Sequence, residues 1–225
     1  MTCFKTYEQK ADVLINLLHH QQRWNWDCGL SCVMMILPPL KRQIFLESFQ
    51  TICQESKFNK SIWTIDLCYL LKRFDVRHIY TTVNFGVREE FKELSFYKEA
   101  LMKDKARISH LFEEAENNGI TIHKASLNSE ELIQHLKNHG PIIVLVDANF
   151  LSCDNCISFN ICSCFSILNQ YKGHYIVICG YLVSKHKFFY RDPFCIDKIC
   201  TTSFNQLTIA RNSNGTDQDI ILVFI

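Results

Sequence analysis

The chain has 225 residues, with 24 lysines and arginines against 23 aspartates and glutamates, and its basic residues are spread along the sequence. This balance excludes the basic patches typical of proteins that bind nucleic acid or anionic membranes. Hydrophobic residues make up 48% of the chain, yet no stretch approaches the roughly 18 apolar residues of a membrane span, so we expect a globular protein without a membrane partner.

The N-terminal segment MTCFKTYEQKADVLINLL lacks the basic start, apolar run and cleavage site of a signal peptide. We therefore expect a cytoplasmic protein, with the nucleus as an alternative compartment. Two glycosylation sequons, at Asn59 and Asn214, leave secretion as a further alternative. In a reducing compartment the twelve cysteines are buried thiols, metal ligands or catalysts rather than structural disulfides.

The N-terminal half is predicted to be mainly helical. The hydrophobic pattern predicts, in chain order, helices over 29–37, 41–55 and 64–74, a strand over 76–85, a helix over 95–117 and a strand over 120–124. The first helix, GLSCVMMIL, is apolar on nearly all sides, so we expect it to be buried in the core. Asp27 is its predicted N-cap, and Pro38 stops it.

The C-terminal half is predicted to be mainly strands. The pattern continues with a helix over 129–138, strands over 142–146, 174–182 and 187–192, a helix over 203–211 and a strand over 219–225. Residues 148–170 have little periodicity and form an irregular, cysteine-rich insertion. Helices first and strands later predict an α+β fold, and without linkers or repeats we expect a single domain over 1–225.

Cys28 is the first candidate for chemistry, because the predicted helix places it in a first turn. A helix N-terminus stabilises the thiolate, which is the nucleophilic form of cysteine. The neighbouring carboxylate of Asp27 has the opposite effect, so an imidazole partner is required.

His174 and Asp192 are the candidate partners of this thiol. His174 opens one predicted strand, and Asp192 ends the next, where Pro193 cannot continue it. The two would face each other across a hairpin whose turn is centred on residue 183, whereas the polar turn lies nearer 185 or 186. A β-bulge would restore the alignment, so the spacing permits a pair in which Asp192 orients the imidazole without requiring it.

The developing oxyanion also needs hydrogen-bond donors, and the Cys28 backbone N–H and the Gln22 amide are the candidates. Each residue also has a structural interpretation. A free cysteine is commonly a buried small hydrophobe, and a histidine or aspartate at a strand end often only satisfies local backbone groups.

The order of Gln22, Asp27-Cys28-Gly29, Gly173-His174-Tyr175 and Asp192-Pro193 resembles the papain-like peptidases of family C39. This resemblance implies a papain-like fold in which the helix beginning at Cys28 is central and packs on a C-terminal antiparallel sheet. It implies that Cys28 is the nucleophile, His174 the general base and acid, Asp192 its orienting group and Gln22 the oxyanion donor.

The segments NWDCGLSC, SIWTIDLCYL, GHYIVICGY and GTDQDIILVF resemble, more closely, the guanylyl cyclase domain-containing protein family, from about residue 20 almost to the C-terminus. That family name implies conversion of GTP to cyclic GMP. Metal-dependent cyclisation needs carboxylates that hold divalent cations, and we find no glycine-rich phosphate loop or paired-aspartate motif in the sequence.

A second cysteine cluster lies in the irregular insertion. Cys153 and Cys156 have the CxxC spacing with which two thiolates hold one zinc ion, and Cys162 and Cys164 follow as a tighter CxC pair. We predict a structural zinc site at these four residues, with free thiols or a redox disulfide as alternatives.

The sequence thus predicts a papain-like thiol hydrolase that cleaves a peptide or isopeptide bond in a peptide or protein substrate and needs no cofactor for catalysis. The alternatives are a non-catalytic interaction protein that keeps this fold, with the cysteine-rich loop as its surface, and a guanylyl cyclase.

Overall fold

The fold is seen in a computed structural model that describes residues 11–58, 61–88, 95–154 and 171–225, with the side chains of 95–103 left out. Within these ranges, no helix has the length and apolar character needed to cross a membrane.

The described part of the chain contains seven α-helices, most of them in the first two thirds of the sequence. They are α1 (Cys28–Ile36), α2 (Pro39–Glu47), α3 (Phe49–Glu55), α4 (Thr64–Arg73), α5 (Ser95–Glu113), α6 (Ser129–Asn138) and α7 (Phe204–Arg211). A 3₁₀ turn at Val183–Lys185 joins two of the strands.

Eight strands form one sheet. They are β1 (Val13–Leu14), β2 (Arg77–Thr82), β3 (Thr121–Lys124), β4 (Ile142–Asp147), β5 (Gly173–Leu182), β6 (Lys187–Arg191), β7 (Cys200–Ser203) and β8 (Ile220–Phe224). Their spatial order is β3-β2-β8-β4-β5-β6-β7, and β1 pairs with the far end of β5. All pairs are antiparallel except β2 with β3.

The sheet is covered by helices on both faces, which explains why β4 is a continuous apolar run. Ile143 and Leu145 of β4 belong to one core cluster, together with residues of α1 and α4. Ile142, Val144 and Val146 belong to the other, together with residues of α6 and α7. The predicted α+β class is confirmed.

Several predicted elements differ from the observed ones. The helix predicted over 41–55 is two helices, because Ser48 departs from helical geometry between α2 and α3 (φ −99°, ψ 12°). The antiparallel sheet predicted for the C-terminal part extends further, because β2 joins it beside β8 and adds a parallel pair with β3. The short strands β1 and β7 were not predicted, because two to four residues carry too little periodicity to distinguish a strand from a loop.

Candidate active site

Cys28 is the first residue of α1, as the sequence predicts, and it is buried, with 7% of its surface exposed. The first N–H groups of a helix have no partner within it, so the Cys28 thiol and its own N–H lie at the positive end of the helix dipole. The following residue, Gly29, lets neighbours approach closely. A Cβ atom there would lie 3.1 Å from both Leu67 and the Tyr175 ring, so α1 packs tightly on α4 and on the start of β5.

His174 and Asp192 form a hydrogen-bonded pair. His174 Nε2 donates to Asp192 Oδ1 at 2.8 Å. The strand register places Val177 opposite Arg191, so the pair lies diagonally across the hairpin and not directly opposite. A register shift between Ile178 and Gly180 moves the pairing by one residue towards the alignment that the sequence analysis considered, but it does not bring the two residues directly opposite each other.

The Cys28 thiol lies close enough to His174 to influence the pKa of the imidazole. Because Nε2 is bound to Asp192, Nδ1 is the ring nitrogen left for the thiol. Burial lowers the pKa of His174, but the hydrogen bonds and charges of Asp192 and Cys28 outweigh this effect and raise the pKa to about 10. The site therefore favours an imidazolium beside the sulfur.

Asp192 is held in its ionised form. Burial raises the pKa of its carboxyl group, but the hydrogen bond and charge of His174 lower it further than burial raises it, so the net shift is downward. The Phe194 N–H also donates to Asp192 Oδ1, at 2.9 Å. Two donors thus fix the carboxylate that receives the imidazole.

Gln22 lies at the same end of the hairpin, because its backbone N–H donates to the carbonyl of Pro193 at 2.9 Å. Its side-chain Nε2 donates to the Trp24 carbonyl at 2.6 Å. An amide nitrogen carries two hydrogens, so one is left for a second acceptor. The oxyanion role of Gln22 stays a prediction.

The predicted N-cap residue, Asp27, acts differently from the expectation. It occupies the N-cap position of α1, but its side chain makes no cap hydrogen bond. Instead its two carboxylate oxygens accept the backbone N–H groups of Arg23 and Trp24, each at 3.0 Å. The carboxylate thus organises the loop before the helix.

A cleft of about 370 Å³ opens beside Cys28. Its walls are largely aromatic and aliphatic and include Trp26, Ile62, Trp63, Tyr80, Phe112, Leu145 and Tyr175. Asp217 and Asp219 also line it, and the described lining residues include no lysine, arginine or histidine. The thiol therefore faces an apolar, acidic space.

The two aspartates of this cleft are functional candidates that the sequence analysis missed. Asp217-Gln218-Asp219 is a pair of acids directly before the last strand, so the statement that no paired-aspartate motif occurs is wrong. Asp217 forms an ion pair with Arg88, with Nε 2.9 Å from Oδ1. The spacing of the two acids before a buried strand was the available signal.

The zinc prediction concerns Cys153, Cys156, Cys162 and Cys164, of which only the first lies within the described residues. Cys153 lies beside Cys200, which the sequence analysis did not connect with it. Hydrogen bonds to Cys153 and Cys195 raise the pKa of the Cys200 thiol. Across the described ranges, no group of three or more histidines, cysteines or acids has a geometry that could hold a metal ion, and zinc stays a prediction.

Fold and site together define an α+β protein with a cysteine, a histidine and an aspartate clustered beside an acidic, aromatic cleft. The chain belongs to the guanylylate cyclase family, whose family model matches residues 17–223. It is similar to a protein of Arabidopsis thaliana named "Guanylyl cyclase 1", with 37% identity over 207 residues that cover 91% of this chain and 74% of the relative.

Proposed function

We propose that this protein is a thiol hydrolase that cleaves a peptide or isopeptide bond through an acyl-enzyme at Cys28. The observation that carries the proposal is the hydrogen-bonded pair of His174 and Asp192 beside the Cys28 thiol. A papain-like fold is part of the proposal, supported by a cysteine at the start of a buried helix and a histidine at the start of a sheet strand.

In the first half-reaction the proton of the Cys28 thiol already resides on His174, as the raised pKa of the imidazole favours, and the sulfur of Cys28 bonds to the substrate carbonyl carbon. The carbonyl oxygen becomes an oxyanion, for which the Cys28 N–H and the spare amide hydrogen of Gln22 are the proposed donors. The C–N bond then breaks, and His174 gives its proton to the leaving amine. Asp192 stabilises the imidazolium throughout.

In the second half-reaction water attacks the thioester carbonyl while His174 takes one of its protons. The C–S bond breaks, the carboxylic acid leaves, and the proton taken from water stays on His174 beside the sulfur of Cys28. No step requires an oxidant or a second substrate besides water. None of the eight described cysteines forms a disulfide, which favours a reducing compartment, and we propose the cytoplasm.

The test is selective alkylation of Cys28 by iodoacetamide near neutral pH, followed by mass spectrometry. We expect Cys28 to react at least about tenfold faster than the partly exposed Cys53, because only Cys28 has an imidazolium partner. His174→Ala should remove this preference. Equal, slow labelling of both cysteines in both proteins would contradict the enzyme proposal and favour the non-catalytic interaction protein.

Guanylyl cyclase activity is a second candidate, favoured by the name of the Arabidopsis relative and by two aspartates in one cleft. A triphosphate needs cations around it, whereas the described lining of this cleft has no basic side chain. We therefore rank it second. Purified protein with GTP and Mg²⁺ or Mn²⁺ should then form cyclic GMP, and Cys28→Ala should retain that activity.

A further inference from the structure

Asp219 is a buried acid that the hydrolase mechanism does not use. Asp219 is 8% exposed and lines the same cleft as Cys28. One carboxylate oxygen, Oδ2, accepts a hydrogen bond from the Thr64 hydroxyl. The hydroxyls of Tyr80 and Thr82 lie nearby, but Oδ1 is buried without a hydrogen-bond partner of proper geometry.

An unpartnered buried carboxylate oxygen is costly, because it has lost water without gaining a donor. Burial raises the pKa of the Asp219 carboxyl to about 7, and the hydrogen bond from Thr64 offsets only part of this shift. A donor that entered the cleft would remove this cost. The carboxyl group is therefore suited to receive a ligand.

The backbone around Asp219 holds it in this position. Asp217 and Gln218 both have positive φ angles, of 47° and 53°, which residues other than glycine rarely adopt. The Asp219 carbonyl accepts the N–H of Leu145 in β4 at 3.1 Å, and its N–H donates to Thr216 at 3.0 Å. Such strain is typical of functional sites that the surrounding structure fixes.

The other groups of the cleft define which donor fits. Asp217 and Asp219 are the two acids of the described lining. Asp217 is already ion-paired with Arg88, so Asp219 is the acid left for a ligand. Trp26, Trp63 and Tyr175 also line the cleft, and aromatic rings suit both an aliphatic chain and a cation. A long, apolar side chain that ends in a positive charge meets all of these conditions.

We propose that Asp219 determines specificity by binding the amine or guanidinium of a lysine-like or arginine-like substrate side chain that enters the cleft beside Cys28. This proposal rests on the hydrolase function and names its substrate class. A buried aspartate in a substrate pocket selects basic side chains by the same physical principle in other proteases.

The first experiment measures binding without catalysis. Benzamidine and benzamide have the same shape, but only the former is a cation, and calorimetry on Cys28→Ala measures both. We expect benzamidine to bind about 10- to 100-fold more tightly, as a charged hydrogen bond predicts. Asp219→Asn should remove this preference. Asp75→Asn should keep it, because Asp75 is 88% exposed and remote from the cleft lining.

The second experiment measures turnover of peptide substrates that carry arginine, its neutral analogue citrulline, or leucine. We expect arginine to be preferred over citrulline by about 10- to 100-fold in the native protein and not in Asp219→Asn. Turnover with leucine preferred would overturn the specificity proposal and leave the hydrolase standing. Benzamidine selectivity without turnover or Cys28 labelling would refute the hydrolase while the cation site stands.

The comparison of benzamidine with benzamide needs no substitution at Asp219, so it decides the proposal even if Asp219→Asn fails to fold. Equal affinity of the two compounds for the Cys28→Ala protein would overturn it.

Discussion

Asp192 and Asp219 are both largely buried acids near the reactive cysteine, yet their environments have opposite effects. Asp192 faces the imidazole of His174, whose hydrogen bond and charge more than offset the effect of burial and lower its pKa. Asp219 faces hydroxyl groups, and burial raises its pKa to about 7. The comparison teaches that a charged partner, and not burial alone, decides whether an acid here is a permanent anion.

The largest expected effect comes from removing the charge of Asp192. Asp192→Asn should lower kcat/KM for peptide hydrolysis by about 10³- to 10⁴-fold, because the imidazole loses its orienting anion while the geometry is nearly kept. Steady-state kinetics on the substrates described above measure this. Asp219→Asn should leave the rate at which iodoacetamide labels Cys28 within about threefold of the native rate. A loss of kcat/KM in Asp219→Asn as large as that in Asp192→Asn would break the comparison.

The next effect is on stability. The pKa of Asp219 is raised from 3.8 to about 7, so the folded protein holds this proton more tightly than the unfolded chain does. Its contribution to the free energy of unfolding is therefore largest at low pH and is lost as pH rises from about 4 to 7. A shift of this size corresponds to about 4 kcal/mol.

Urea unfolding at several pH values between 4.5 and 7.5 checks this loss by comparison between variants. The stability difference between Asp219→Asn and the native protein should shift in favour of the variant as pH rises. Asp75→Asn, which removes an exposed acid, should show no such trend. A pH-independent difference for Asp219→Asn would contradict the assigned titration.

A third effect concerns the proton on His174. Its pKa is raised to about 10, so the stabilisation from the charged imidazole is complete below about pH 6.5 and is lost as pH rises towards 10. Asp192→Asn should lower the midpoint of the His174 ring titration by about 1 to 3 pH units. NMR of the ring measures it, and Asp219→Asn serves as the control with an unchanged midpoint.

The smallest effect is at Gly29, where α1 packs on α4 and β5. Gly29→Ala places a methyl group 3.1 Å from Leu67 and from the Tyr175 ring, whose hydroxyl contacts Thr64 at 2.9 Å. Crowding should outweigh the gain in helix propensity and cost about 1 kcal/mol. Thermal unfolding measures this cost, and adding Leu67→Val should recover part of it. Full native stability of the single variant would show that this junction can move.

Much of the local structure could be predicted from the sequence. The prolines after residue 37 end the apolar helix that begins at Cys28. The helix α6 begins after Asn128, whose side chain accepts hydrogen bonds from the backbone N–H groups of Glu130 and Glu131. The pairing of β2 with β3, and the break at Ser48, could not be predicted, because they depend on packing partners that local patterns do not encode.

For the candidate site, the sequence by itself determined that Cys28 begins a helix, that His174 lies at the start of one strand and that Asp192 lies at the end of the neighbouring one, directly after β6, because these relations are local in the chain. The tertiary structure alone decided that the Thr64 hydroxyl meets Asp219 across 155 residues and Tyr175 across 111. Strand order brings β5 and the residue before β8 to one cleft, and no local periodicity specifies that order. The acidic cleft beside the cysteine therefore became visible only in the folded molecule.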